Sequence, residues 1–473
     1  SMSERRWTAE QAAAVVATED LLLTANAGTG KTTTVVGKFL WSIGLPVDPG
    51  PDGPLPPPEE PLDISQIVAI TFTEKAAHDL ERKLRAALEA SEQGAELLWR
   101  LDEAYIGTIH GFCSMLLREH ALRLGIDPTF RVLDEREARA NQEDLVRDVV
   151  LAALEAEDAG VERLARRYRL YGGTYADGII DMVRSMMRDL RWHSAQYAEW
   201  TSQGALDRGK LEALCSGWSE GADGEAFELT DALYRLARSA LERWEAFQLD
   251  ENARDFDALI LDTRDLLCGE SALSALSEIR RRCRLLIIDE LQDTDFAQRD
   301  LAFAIAGNGE GPQLFFVGDP KQSIYRFRGA DVSVWNAVEQ QLKGRGRMLP
   351  LTVSFRSTPA VVQLVNDVGE RAMSAAAAAL DEVGLPSAIP YSELVARRGN
   401  DSVGRAQYIQ ILAEKAADRR PEEGHRVGSY IQDLVDNGTV HDPDSGEERP
   451  CTYADVAVLY RASTHIELVA QAP

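Results

Sequence analysis

The chain has 473 residues, 45% of them hydrophobic, which is enough for about three domains with filled cores. No run approaches the ~20 apolar residues of a membrane span, no secretory signal opens the sequence, and five cysteines (113, 215, 268, 283 and 451) show neither disulfide nor metal-knuckle spacing, so a reduced cytoplasm is expected. A formal net charge of −26 excludes a generally adhesive nucleic-acid binder, although it does not exclude one positive groove.

In chain order, Leu21-Leu22-Leu23 reads as a short buried strand running into Ala25-Asn26-Ala27-Gly28-Thr29-Gly30-Lys31-Thr32. Small residues there let consecutive backbone N–H groups curl around phosphates, Lys31 adds a positive charge, and Thr32 offers a hydroxyl to Mg²⁺. Ala25 stands where such loops usually carry glycine. A helix from about Thr32 to Trp41 would point its positive end at the same anion. Pro46 to Asp63, with eight prolines and several acids, is expected to stay extended and exposed, with no chemistry. Ile67–Thr71 is the next strand. From about Ile109 to Asn252 the pattern turns helical, with apolar residues at three- and four-residue steps over Glu135–Glu157 and Leu229–Phe247. Trp192, His193 and Trp200 in this stretch are expected to be packing residues, and Arg280, Arg281, Arg282 and Arg284 a solvated helix end.

Leu285-Leu286-Ile287-Ile288 is again a buried strand, and Asp289-Glu290 follows at its carboxyl end, where open α/β sheets bind ligands. Asp289 would hold Mg²⁺ through water, and Glu290 would orient and deprotonate an attacking water. Leu314–Val317 is the fourth strand of this kind. After it, Tyr325 and Phe327 alternate with Arg326 and Arg328, offering faces for base stacking beside guanidinium groups for phosphates. Residues 321 to 347 also reverse the overall charge, with six basic side chains against two acidic ones. Beyond Leu349, Ala375–Ala379 favours a helix, Gln407–Leu412 and Asp455–Tyr460 read as strands, and Asp436–Pro450 as a turn-rich loop. Strands alternating with helices predict an α/β fold with a parallel sheet covered on both faces.

These segments, in this order, resemble the N-terminal motor portion of UvrD/Rep-type superfamily-1 DNA helicases. The run Gly318-Asp319-Pro320-Lys321-Gln322-Ser323-Ile324-Tyr325-Arg326-Phe327-Arg328 is most similar to the RecB/AddA helicase–nuclease branch. The resemblance implies a RecA-like P-loop lobe split between residues 1–110 and 255–348, an inserted all-helical subdomain over 111–254, and part of a second RecA-like lobe over 349–473. It implies ATP and Mg²⁺ as cofactors, held by Gln11 at the adenine edge, by the loop from Ala25, Asn26, Ala27, Gly28, Thr29 and Gly30 to Lys31, Thr32 and Thr33, and by Phe355 stacking on adenine. Lys31, Asp289, Glu290, the γ-phosphate sensor Gln322, and Arg356 reaching across the cleft would carry catalysis, with Thr32 and Asp289 on the metal. Single-stranded DNA and DNA ends would be the partners, gripped by Thr71, Phe72, Thr73, Thr108, His110, Tyr325, Phe327 and Arg328, together with a second subunit of a helicase–nuclease.

Several positions depart from the family pattern. Phe327 replaces a frequent Trp, Leu291 a usual Phe, Ser354-Phe355-Arg356-Ser357 stands for Asn-Tyr-Arg-Ser, and Lys38 sits where many members carry an arginine near the nucleotide. Phe256-Asp257-Ala258-Leu259 resembles a minor family motif or is an ordinary amphipathic helix. Later motor motifs and a nuclease are missing before Pro473, so a fragment is expected, with Ser1-Met2 a cloning remnant and ATP binding surviving better than unwinding. Two other classes stay open: a nucleotide-gated DNA-binding or scaffolding module without unwinding activity, and a P-loop kinase, in which the segments at Thr71 and Tyr325 would have no work.

Overall fold

A computed structural model describes residues 6–173, 177–202, 204–214, 218–219, 221–269, 272–324, 333–382, 391–397, 405–411, 416–441 and 447–459. The chain divides into two compact units, 1–402 and 403–473. Six strands of the first unit form one sheet: β1 (Asp20–Ala25), β2 (Ile67–Thr71), β3 (Tyr105–Thr108), β4 (Leu285–Ile288), β5 (Gln313–Gly318) and β6 (Gly346–Leu351). Their order across the sheet is β6-β1-β5-β4-β2-β3, and every pair is parallel.

The strands are continuous apolar runs because both faces are covered. Leu21, Leu23, Ile67, Ile287 and Phe315 face one core with residues of three helices, α1 (Ala9–Val15), α2 (Lys31–Ser42) and α3 (Glu74–Glu89). Their neighbours Leu22, Val68, Ile288 and Phe316 face the other with α4 (Ile109–Glu119). Residues 133–253 keep a separate core, built on α5 (Glu135–Glu155), α6 (Ile179–Trp192) and α7 (Ala222–Asp250) around the fully buried Trp244. A short parallel ladder, Arg131–Val132 with Ala253–Arg254, ties the two ends of that helical stretch together. Two more helices, α8 (Phe256–Cys268) and α9 (Phe296–Ala306), pack on the second face of the sheet together with the helices Ala272–Arg282 and Ser333–Leu342.

The structure corrects several expectations. The proline-rich segment is largely exposed and without helix or strand, as expected, but it is also anchored: Trp41 Nε1 donates to the Pro56 carbonyl at 2.7 Å, Trp7 N donates to Pro49 O at 3.0 Å, and Leu55 packs on a cluster of Trp7, Ala12, Val15 and Trp41. Its aromatic partners lie on α2 and just ahead of α1, so composition alone could not reveal them. Gly346–Leu351 joins the first sheet beside β1, so a strand runs through position 349. Arg280 is tied to the chain, donating to Ile305 O at 2.8 Å and Ala304 O at 3.0 Å, and His193 is exposed. In the unit 403–473, residues 407–411 and 456–459 form no strand; the helix Ala416–Asn437 leads instead into an antiparallel pair, Thr439–His441 with Glu448–Pro450, inside the expected loop.

One contact fixes α1 on α2. A Cβ on Gly37 would stand 2.7 Å from Trp7 Cζ2, 2.8 Å from Trp7 Cη2 and 3.2 Å from Val15 Cγ2. Gly37→Ala is therefore expected to destabilise the fold by about 1–3 kcal/mol, since packed aromatic and branched atoms have no room to retreat. Urea denaturation measures this, and an unchanged midpoint would count against the close packing.

Candidate functional site

The sheet order sets the site. Register pairs Ala25 with Leu351, Thr24 with Gly318, Phe316 with Ile288, Ile288 with Ile70 and Thr71 with Thr108. The carboxyl ends of all six strands are thus nearly level, and the segments that begin at Ala25, Thr71, Thr108, Asp289, Asp319 and Thr352 leave from this one edge.

After β1 the chain turns through Gly28 (φ 76°) and Gly30 (φ 84°), both left-handed, before α2 begins at Lys31. This is the backbone that glycine adopts without cost, and side chains at either place would also collide. A Cβ on Gly28 would sit 2.6 Å from Arg356 Cβ, and one on Gly30 would sit 2.7 Å from Gln11 Nε2. Gln11 lies in α1, where it forms a capping box with Thr8 and donates through Nε2 to Thr29 O at 3.2 Å. Thr29 Oγ1 closes the loop onto Asn26 O at 2.7 Å. Asn26 is buried; its Nδ2 donates to Ser392 Oγ at 2.9 Å, and its Oδ1 accepts from Lys321 Nζ. Ala25 is the last residue of β1, Ala27 O accepts weakly from Ser354 Oγ at 3.5 Å, and Thr32 and Thr33 are half-buried in the first turn of α2.

Lys31 Nζ meets Glu290 Oε2 at 2.7 Å, joining the loop to the acid pair across 259 residues of sequence. Glu290 has φ 55° and ψ 46°, a left-handed conformation that costs a non-glycine residue about 1–2 kcal/mol. Its backbone N–H donates to Asp289 Oδ1 at 2.9 Å. Burial first, and then the neighbouring Glu290, push the Asp289 carboxyl up to about 6. Gln322 Nε2 donates to Asp319 Oδ2 at 2.8 Å, just past β5, the strand between β1 and β4.

The segment after β6 packs on the glycine loop between β1 and α2. Phe355 N donates to Gly28 O at 2.8 Å, and Phe355 and Arg356 are exposed beside it. Glu10 in α1 accepts from Thr352 N at 3.2 Å and from Thr352 Oγ1 at 2.7 Å, so α1 holds both the loop and this segment. Lys38, by contrast, is turned away. Its Nζ donates to Ala17 O and lies 4.7 Å from the Trp41 ring centre, so it is a buried structural lysine.

Further along the same edge, a cavity of about 680 Å³ is lined by Phe72, Thr73, Thr108 and His110 from the strand ends and by Arg139, Arg184 and Arg188 from α5 and α6. Thr73 and Thr108 cap α3 and α4, accepting from Ala76 N and Gly111 N, and Thr108 Oγ1 donates to Glu74 Oε1 at 2.9 Å. Thr71 is only 1% exposed, its hydroxyl donates to Thr73 O at 3.0 Å, and it does not line the cavity. His110 lies against Phe256 with ring centres 4.7 Å apart, and burial lowers its pKa to about 4, so its imidazole is neutral. Trp192, which packs against the core as expected, and the Phe256-Asp257 start of α8 also line this cavity. So do Glu74, Asp293 and Asp295; burial raises the last two to about 6. Tyr325, Phe327 and Arg328 lie outside the described residues.

The profile of the UvrD/REP helicase N-terminal domain matches residues 7–343. The chain belongs to that family. Its relatives include an ATP-dependent helicase/nuclease chain of Pelotomaculum thermopropionicum, named as one subunit of that enzyme, which is 25% identical over 97% of this chain and 48% of that protein. The proteins of the same name from Bacillus cereus strain B4264 and Bacillus mycoides are 24% and 23% identical, again over 97% of this chain and 47% of theirs. The chain thus spans about half the length of these curated relatives. Within the UvrD/REP domain, Leu291 is a core residue behind the acid pair and touches none of its chemistry.

The donor set suits a magnesium–nucleotide group. A glycine cradle that a Cβ would fill, a lysine, one hydroxyl and one carboxylate match a hard cation that keeps most of its waters. Among the described residues no cluster of His, Cys, Asp and Glu forms a dedicated metal cage, and no helix is long and apolar enough to cross a membrane.

Proposed function

We propose that this chain is the N-terminal motor portion of an ATP-dependent single-stranded-DNA translocase, belonging to a helicase–nuclease that works on DNA ends in double-strand-break repair in the cytoplasm. The observation that carries this reading is the Lys31–Glu290 contact at 2.7 Å with Phe355 N on Gly28 O at 2.8 Å beside it. Residues from distant segments meet at one loop. Mg²⁺, when bound, would be held by Thr32 and Asp289 and would neutralise phosphate charge. Lys31 and the loop amides bind the phosphates, Gln11 and Phe355 hold the adenine, and Glu290 takes the proton of the attacking water. Arg356 offers its guanidinium to the γ-phosphate, and Gln322 reports on it.

Phe72, Thr73, Thr108 and His110 line the DNA path, and the arginines of α5 and α6 form its second wall. Tyr325, Phe327 and Arg328 belong to the same groove in this reading. Residues 1–110 and 255–351 would form the first RecA-like lobe, with the edge strand Gly346–Leu351 included, 111–254 the helical insert and the residues after 351 part of the second lobe. That the relatives are named as one subunit of an enzyme supports a partner chain here too. In the full-length protein, ATP turnover is expected to rise at least about tenfold when single-stranded DNA is added, as coupled closure requires. Turnover indifferent to DNA would leave a nucleotide-gated binding module as the better account.

A further inference from the structure

Gln292 has no assigned part in the reaction, yet both ends of its amide are committed within the site. It is buried, at 3% exposure. Oε1 accepts from the backbone N–H of Asp319 at 2.9 Å, and Nε2 donates to Glu290 Oε2 at 2.8 Å. A backbone N–H can only donate, so the Asp319 contact fixes the amide orientation and turns the nitrogen toward the carboxylate. Nε2 also lies 3.4 Å from Asp293 Oδ2, on a residue that lines the cavity beside Thr73 and His110. The Gln292 carbonyl accepts from Ser323 Oγ at 3.1 Å. Gly318 leaves the room: a Cβ there would stand 2.6 Å from Gln292 Oε1.

The next link runs onward from Asp319. Its Oδ2 accepts from Gln322 Nε2 at 2.8 Å, so one side chain separates the turn 319–322 from Glu290. Lys31 and Gln292 both contact Oε2 of Glu290. When phosphates draw Lys31 away, Gln292 is the donor that still fixes this oxygen and aims the other at water. A shift of the 319–322 turn moves the Asp319 amide, and through Gln292 it re-aims the carboxylate.

We propose that Gln292 is a positioning residue that makes the alignment of the Glu290 base depend on the Gln322-bearing turn. This rests on the ATPase reading given above. The test uses the full-length protein with single-stranded DNA and compares Gln292→Met, which removes donor and acceptor at similar volume, with Gln292→Glu, which keeps an acceptor for Asp319 and loses the donor to Glu290.

Both variants are expected to lose at least about tenfold in kcat, with KM for ATP and affinity for a fluorescent ATP analogue within about threefold of wild type. Gln292→Met combined with Gln322→Ala should be no slower than the slower single variant, because both act through one connection. Losses that multiply, a kcat within about threefold of wild type in either folded variant, or a loss confined to KM would each overturn the assignment. So would failure of both variants to fold, which would make the residue structural. Undiminished turnover in Glu290→Gln is a separate result, and it would sink the base assignment and not this connection alone.

Discussion

Glu290→Gln in the full-length protein is expected to lower DNA-stimulated ATP turnover by at least about a hundredfold while ATP still binds, because a positioned general base contributes roughly 10²–10⁴-fold. The variant keeps the side-chain length and the left-handed backbone at 290, so the strain at φ 55° is unchanged. It also leaves Asp289 and the loop intact. What it removes is the proton acceptor and the negative partner of Lys31, 2.7 Å away. With that partner neutral, Lys31 is freer to meet phosphate, so nucleotide affinity should hold or rise. Steady-state turnover together with titration of a fluorescent ATP analogue separates the two effects. Equal turnover in both proteins would remove Glu290 from the chemistry.

Lys38→Met is expected to stabilise the protein by about 2–4 kcal/mol at pH 7, since each pKa unit of difference corresponds to ~1.4 kcal/mol. Burial lowers the Lys38 pKa from 10.5 to about 7, against a smaller opposing pull from Glu19. The folded state therefore releases this proton at about pH 7, while the unfolded chain keeps it to about 10.5. Wild-type stability climbs with pH across that window, and the cost is fully present below it. The advantage of the variant should be greatest at and below pH 7 and fade toward pH 10. Losing the lysine does not orphan its acceptor, because Gln313 Nε2 also donates to Ala17 O, at 3.0 Å. Urea titrations at the two ends of the window check the sign; a variant that gains nothing at pH 7 would show that the buried ammonium is well compensated.

Much of the candidate site was legible because its residues stand in short contiguous runs. Ile67–Thr71 and Leu285–Ile288 are strands to the residue, since strands covered on both faces must be apolar throughout. Tyr105–Thr108 and Gly346–Leu351 were missed because they form the two edges of the sheet, where Tyr105, Arg347 and Pro350 interrupt any apolar run. Gln407–Leu412 and Asp455–Tyr460 carry strand-forming residues, but Tyr408 and Leu459 are 86% and 95% exposed and no described residue pairs with them, which shows how far β-propensity depends on context.

The docked proline-rich segment and the Asn26–Lys321 contact depend on partners far off in sequence. So does the link through Gln292, whose letter stood in plain view while the direction of its amide did not. Thr71 is the instructive case within the site: the same short motif supplies one threonine to the cavity and buries the other, because Thr71 still belongs to a strand covered on both faces while Thr73 lies past its end as the N-cap of α3.

The pairing of Ala25 with Leu351 also puts a leash on Arg356. Only five peptide units separate that arginine from a strand end stitched to the mouth of the glycine loop, and such a tether spans at most about 17 Å when drawn straight. The backbone of Arg356 is therefore confined to one short arc around Gly28, and the Phe355 N to Gly28 O bond draws that tether in further.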